Sequence, residues 1–233
     1  MFLYRAAKAV VTPVTRILWP LRVRGTHHIP SHGPVILASN HRSNLDPLFI
    51  GVAVPRPVTF IAKQELFSEG TPPQRVFART LRAIGQMSVD RRPGQGAHAA
   101  MEHSLDFLRD GSALGIFPEG TRSPDGQLYR GQTGLAWLAL ASGAPVVPVA
   151  LAGTDRILPE GSRFPALRPV GVRFGPAVDL SPWAGEQGKA RSRRAATDAI
   201  MAEIQRLSGQ QQASRYASSA KAEQQNDPPG SRR

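Results

Sequence analysis

The sequence predicts an α/β domain on a mixed, largely parallel sheet flanked by helices, preceded by an amphipathic helical segment suited to a membrane surface. Three observations lead there. Short apolar runs alternate with helix-length patterns between Val35 and Leu151. Gly, Pro and Asp stand where those elements should start and stop. The first residues combine apolar and basic side chains with no acid.

No Asp or Glu precedes Asp46, whereas Arg5, Lys8, Arg16, Arg22, Arg24 and Arg42 do. Arg5, Lys8, Thr12 and Arg16 recur at three- and four-residue steps, as on one face of a helix, among Phe2, Leu3, Tyr4, Val10, Val11, Val14, Ile17, Leu18 and Trp19. A basic face opposite an apolar one suits the interface of an anionic leaflet. The competing reading is a helix packed on the protein's own core. Pro13 is expected to kink or divide the helix, and the uncharged apolar stretches are too short to span a bilayer. Nor is a signal peptide indicated, because Pro13 and Arg16 break the apolar run and no small-residue cleavage site follows.

Val35-Ile36-Leu37-Ala38-Ser39, after Gly33-Pro34, reads as a buried strand. Asp46-Pro47 reads as a helix start, with Asp46 as cap and Pro47 in the first turn. Val58 to Ala62 predicts a strand, residues from about Gln74 to Ile84 a helix, and Gln86 to Val89 a further strand. A helix is expected from about Ala97 to Arg109, stopped by Gly111. Then follow strand Ala113–Phe117, helix Leu135–Ser142 and strand Val146–Leu151. The pattern weakens after Asp179, with one more helix expected over Ala195–Leu207. From Gly209 the chain is rich in Gln, Ser, Ala and charge, a composition that predicts disorder. The expected organisation is thus a membrane-interface segment over 1–25, a domain over 26–208 and a disordered tail over 209–233.

With 233 residues the chain can bury a continuous core without staples. It has no cysteine, which excludes thiol catalysis, thiolate metal sites and disulfides. Its net charge of +12 favours an anionic partner: nucleic acid, an anionic membrane or a phosphorylated substrate. No interleaved aromatic–basic platform stands out, so no nucleic acid is expected. A non-enzymatic binder of anionic lipid or nucleic acid is the alternative of a different class.

The strongest constellation is Asn40-His41-Arg42-Ser43-Asn44-Leu45-Asp46-Pro47, between a buried strand and a helix start. Open α/β sheets put ligands at the carboxyl ends of strands. An imidazole there can take a proton from an attacking alcohol, and a carboxylate on its other nitrogen fixes the tautomer. Read alone, the same residues also fit a loop histidine and a plain helix cap. The second constellation, Phe117-Pro118-Glu119-Gly120-Thr121-Arg122-Ser123, also follows a strand. Its Gly admits close backbone approach, and Arg122 offers a fork matched to phosphate. Gly115 and Gly120 mimic the spacing of a nucleotide-binding P-loop, but Thr121-Arg122 stands where Lys-Ser/Thr is required. Val89-Asp90-Arg91-Arg92 and Ala62-Lys63 can supply cations to an anionic head group. There is no Gly-x-Ser-x-Gly elbow, and His98 and His103 have the wrong spacing for a helical zinc pair. His27, His28 and His32 read as a surface turn rather than a metal site.

Together, these segments resemble the phospholipid and glycerol acyltransferase family. Its first motif, Asn-His followed by four residues and Asp, is matched by Asn40, His41 and Asp46. Its second resembles Val89-Asp90-Arg91, its third is matched throughout Phe117–Ser123, and its fourth is similar to Val146-Val147-Pro148-Val149. All four occur in the family's order. The resemblance implies a glycerol-3-phosphate acyltransferase-like fold and a direct acyl transfer from a thioester, acyl-CoA or acyl carrier protein, to a lysophosphatidic acid hydroxyl. His41 would act as base and Asp46 as its orienter. Glu119, Gly120, Thr121 and Arg122 would bind the acceptor, with Arg91, Asn40, Ser43 and Lys63 as further binding candidates. It implies no metal or organic cofactor, and a place on the cytoplasmic face of the cell membrane as a peripheral or monotopic protein. Another lysophospholipid or a glycolipid precursor is the alternative acceptor.

Overall fold

Val35–Ser39 is buried at every position, as a strand with cover on both faces must be. The computed structural model describes residues 2–63, 75, 86–89, 95–157 and 165–226. In chain order they form α1 (Phe2–Leu18), β1 (Leu21–Arg24), β2 (Val35–Ser39), α2 (Asp46–Ala53), β3 (Val58–Lys63), β4 (Gln86–Val89) and α3 (Gln95–Arg109). Then come β5 (Ala113–Ile116), α4 (Gly134–Ser142), β6 (Val146–Ala152), β7 (Val170–Phe174), α5 (Ala190–Ser208) and α6 (Ala217–Asn226). The helix expected near Gln74–Ile84 lies outside the described residues except at Arg75.

The seven strands run in the order β1-β7-β6-β2-β5-β3-β4. Every neighbouring pair is parallel except β6–β7, so the expected mixed, largely parallel sheet is what forms. Val35 and Leu37 face a core shared with Phe49 and Ile50 of α2, whereas Ile36 and Ala38 face Leu108, Leu138 and Ile200 of α3, α4 and α5. Each face of β2 therefore owes its burial to a different set of helices.

Four expectations need correction. Residues 21–24 belong to the sheet, as an edge strand beside β7, and not to a membrane segment. Of the kink or division expected at Pro13, the division does not occur: helix α1 continues through it. Asp46 is the first residue of α2, Leu45 holds the cap position, and no side-chain cap is made.

The fourth correction concerns residues 209–226, which are not a disordered tail. Leu128 and Arg130 donate backbone N–H groups to Gln211 and Arg215, and Ala213 donates to Leu128. Ala217 and Ala220 of α6 then bury against Tyr129. Composition reports that such a segment lacks large apolar side chains, but backbone pairing and alanine packing need none. Residues 227–233 lie outside the described set.

Helix α1 packs on α2 with its polar side inward. The Lys8 ammonium donates to the Val54 carbonyl, and Lys8 and Thr12 line a small cleft with Pro47, Leu48 and Gly51. Burial, and secondarily Arg16, lowers the Lys8 pKa. Trp19 closes the helix by donating to Ala166 O at 3.0 Å and packing edge-on against Phe49. Outward point Val10, Val14 and Ile17, exposed by 65, 49 and 80%. Among the described residues, no helix is long and apolar enough to cross a membrane.

Candidate active site

Strands β2 and β5 are adjacent, so the loops leaving their carboxyl ends meet. Asn40 is the first residue beyond β2 and is fully buried. Its side-chain amide stands in for a peptide group: Nδ2 donates to Leu151 O at 3.0 Å, and Oδ1 accepts from Leu151 N at 2.8 Å. Nδ2 also donates to Gln210 Oε1 at 2.6 Å. Asn40 thus extends the β2–β6 pairing by one step after the backbone has left the sheet. Its polar atoms are taken up by protein, so it holds the loop rather than facing a ligand.

His41 Nδ1 lies 2.8 Å from Asp46 Oδ2. That same oxygen accepts backbone N–H bonds from Arg42 at 2.6 Å and Ser43 at 2.8 Å. The carboxylate therefore folds back onto the 41–43 loop rather than forward along α2, and backbone donors fix it before any imidazole is considered. Asp46 is fully buried, while the His41 side chain keeps 17% exposure. The imidazole stacks on Phe117, centroids 4.1 Å apart at 17°, and Phe117 stacks on Phe60 at 5.7 Å. Phe60 fits there because β5 carries Gly115: a Cβ at that position would lie 2.1 Å from the Phe60 ring. Nε2 of His41 has no hydrogen-bond partner among the described residues, so the stack and the Asp46 contact leave that nitrogen open.

Glu119 is 1% exposed and bridges the two loops. Its Oε1 accepts from His41 N and its Oε2 from Tyr129 N, both at 2.9 Å. Burial drives its pKa up to about 7; the two backbone N–H bonds oppose that shift without overcoming it. Ser123 N completes the bridge by donating to His41 O at 2.8 Å. Both Glu119 oxygens accept a backbone N–H bond, so the side chain braces the two loops. Gly120 makes the turn after it, at φ 75°, with its N–H donated to Phe117 O at 3.0 Å.

Ser43 is also buried, and its hydroxyl accepts from Leu45 N at 3.3 Å, a turn-forming bond rather than a ligand contact. Thr121 Oγ1 accepts from Lys221 of α6 at 2.8 Å. Arg122, half-buried in the same loop, makes no hydrogen bond or ion pair among the described residues, and its guanidinium is the one candidate in the motif left available to an anion. Arg91 lies outside the described residues, and only the backbone of Lys63, at the end of β3, is described. Among the described residues no three His, Asp or Glu side chains are grouped to hold a metal ion.

Sequence reading missed Gln210, Lys221 and Tyr129 as supports of the site. No local signal marks them, because each depends on which loops become neighbours in space.

A stacked, carboxylate-bonded histidine open at one nitrogen thus stands at the end of a parallel strand, an arrangement able to accept a proton from a bound hydroxyl. The chain belongs to the acyltransferase family, whose model matches residues 20–152. It is 30% identical over 158 residues to the 1-acyl-sn-glycerol-3-phosphate acyltransferase of Borreliella burgdorferi, a match covering 68% of this chain and 61% of that protein. It is 31% identical over 132 residues to the human 1-acyl-sn-glycerol-3-phosphate acyltransferase alpha, covering 56% and 45% respectively. The chain thus spans less than two thirds of these relatives. It shares the fold of the crystal structure of PlsC, the 1-acyl-sn-glycerophosphate acyltransferase of Thermotoga maritima. The TM-score is 0.65 with 24% identity, over 88% of this chain and 79% of that one.

Proposed function

We propose that the chain transfers an acyl group from an acyl thioester to the free hydroxyl of 1-acyl-sn-glycerol-3-phosphate (lysophosphatidic acid), giving phosphatidic acid. The observation that carries this reading is the His41 Nδ1–Asp46 Oδ2 contact of 2.8 Å, made to a carboxylate already fixed by two backbone N–H groups. His41 Nε2 takes the acceptor's hydroxyl proton as its oxygen attacks the thioester carbonyl. The C–S bond of the tetrahedral intermediate then breaks, and the imidazolium returns that proton to the departing thiolate. Asp46 stabilises the imidazolium formed in between. The chain has no cysteine and no serine elbow, so transfer in one complex, without an acyl-enzyme, is the route its residues support. Arg122 pairs with the acceptor phosphate, and Arg91 is a second candidate for it.

The outward apolar stripe of α1 supports attachment to a membrane as a peripheral or monotopic protein, on the cytoplasmic face, where acceptor and acyl chains reside. Its polar side is turned onto α2, which argues against the stripe being a core-facing surface. An Ile17→Asp, Val14→Asp double variant is expected to remain in the supernatant when vesicles containing phosphatidylglycerol are sedimented. The activity is tested by incubating the purified protein with lysophosphatidic acid and an acyl thioester. Phosphatidic acid should appear, and no product with any such donor would refute the reading. A panel of other lysophospholipids decides the acceptor.

A further inference from the structure

The catalytic loop has a second side. Leu21, Val23, Val170, Val172 and Phe174 turn one face of β1 and β7 into the core beneath α2. By alternation Arg22, Arg24 and Arg173 point to the opposite face, with Arg24 registered against Arg173 and Arg22 against Gly171. Gly171 in turn pairs with Ala152, the last residue of β6, so this corner lies at the sheet end from which His41 projects. There the side chains enclose a concavity of about 370 Å³ that Arg42 and Arg156 also line. Ala152 and Gly171 also line it, and neither has a side chain long enough to fill it.

Among the described residues, Asp155 is the single acid lining this cavity against five guanidinium groups. It pairs with Arg42 through one contact of 3.0 Å, while Arg42 Nε and Asp155 Oδ1 are buried without partners. An ion pair so thinly made lets Arg42 turn toward a stronger anion at little loss. Arg22, Arg24 and Arg156 form no ion pair among the described residues. Charges on an edge strand guard against sheet-to-sheet pairing. That role does not explain Arg42 and Arg156, which come from the loop after β2 and a 3-10 turn after β6 and converge on the same cavity.

Position chooses the ligand. The apolar stripe of α1 and the His41 stack lie on the α2 face of the sheet, and the arginine cavity lies on the other. A lipid head group would arrive from the α1 side, so the cavity serves an anion arriving through water. A carrier protein docking by a convex helix about 10 Å across would lie over the rim of a 370 Å³ concavity and leave it unfilled. A small polyphosphate fits. We propose that this cavity binds the nucleotide phosphates of coenzyme A and so places an acyl-coenzyme A thioester, through Arg42, beside His41. The proposal rests on the acyl-transfer reading and names its donor. Lipid acceptor and soluble donor then approach His41 from opposite faces of one sheet.

The test titrates coenzyme A calorimetrically into the full chain, wild type against Arg24→Gln/Arg173→Gln, with Arg156→Gln as a second variant on a different element. All three arginines are exposed, so these replacements leave the core intact. The dissociation constant for coenzyme A is expected to rise about ten-fold or more in the double variant, and to weaken further with salt. The KM for acyl-coenzyme A should rise in step, with the KM for lysophosphatidic acid and sedimentation with anionic vesicles unchanged. An unchanged dissociation constant overturns the proposal, as does no binding by the wild type. So does a loss confined to vesicle sedimentation, which would assign the cavity to lipid phosphate, or to transfer from acyl carrier protein. Binding is read without turnover, so the two readings fail separately. Arginine-dependent binding without transfer sinks the lysophosphatidic acid reading alone; transfer with arginine-independent binding sinks this one alone.

Discussion

Two loops leave neighbouring strands at the same end of the sheet, and they divide the work unequally. The loop after β2 presents His41 with one nitrogen open, whereas the loop after β5 spends most of its polar groups on holding the first. Glu119 and Ser123 bond the backbone of His41, and Phe117 supports its ring. Only Arg122 in the second loop is left for an anion among the described residues. A motif rich in functional groups is therefore mostly scaffold, and its charge does not mark its role.

Substitutions in the two loops sharpen that contrast. Folded His41→Ala is expected to lose about 10²–10⁴-fold in kcat, since the proposed proton transfer depends on it. Comparable turnover in a variant whose circular dichroism is unchanged would remove His41 from the chemistry. Asp46→Asn should cost about 10²-fold or more in kcat, by presenting an amide to the imidazole and to two backbone donors. In the second loop, Arg122→Gln should act on binding: the KM for a phosphorylated acceptor rises about ten-fold while kcat changes less. A fall in kcat with KM unchanged would place Arg122 in the transition state instead.

The brace gives the next effect, read as stability. The Glu119 pKa is raised to about 7 in the folded chain, above its unfolded value of about 4.3. The folded state then binds more protons between those values, so this group's contribution falls as pH rises from about 4 to about 7 and is flat above. The loss is on the order of 3 kcal/mol, and urea midpoints across that range measure it. Glu119→Gln should flatten that segment of the profile, while lowering stability at every pH by about 1–3 kcal/mol, because one backbone N–H loses its acceptor. The smallest expected change is Lys221→Ala, about two-fold in kcat, through a looser Thr121.

Much of this architecture was legible because the central strands are buried on both faces. Val35–Ser39, Ala113–Ile116 and Val146–Ala152 read as continuous apolar runs that no surface segment would tolerate. Strands β1 and β7 escaped notice because Arg22, Arg24 and Arg173 interrupt runs of only four or five residues. In the site, the His41–Asp46 pair is local and its spacing announces it. The Glu119 brace is not local: it spans 78 positions and exists only because β5 lies beside β2. Strand order is set by tertiary packing, so a sequence motif shows which residues cluster without showing which of them face outward.

The bond from Asn40 to Gln210 spans 170 positions. On the ribosome, residues 40–46 emerge well before the amide that braces Asn40 and the ammonium that reaches Thr121. A nascent chain stopped after α5 carries His41 and Asp46 but lacks both ties. Ordering of the 40–46 loop is thereby coupled to synthesis of a polar, alanine-rich segment far downstream.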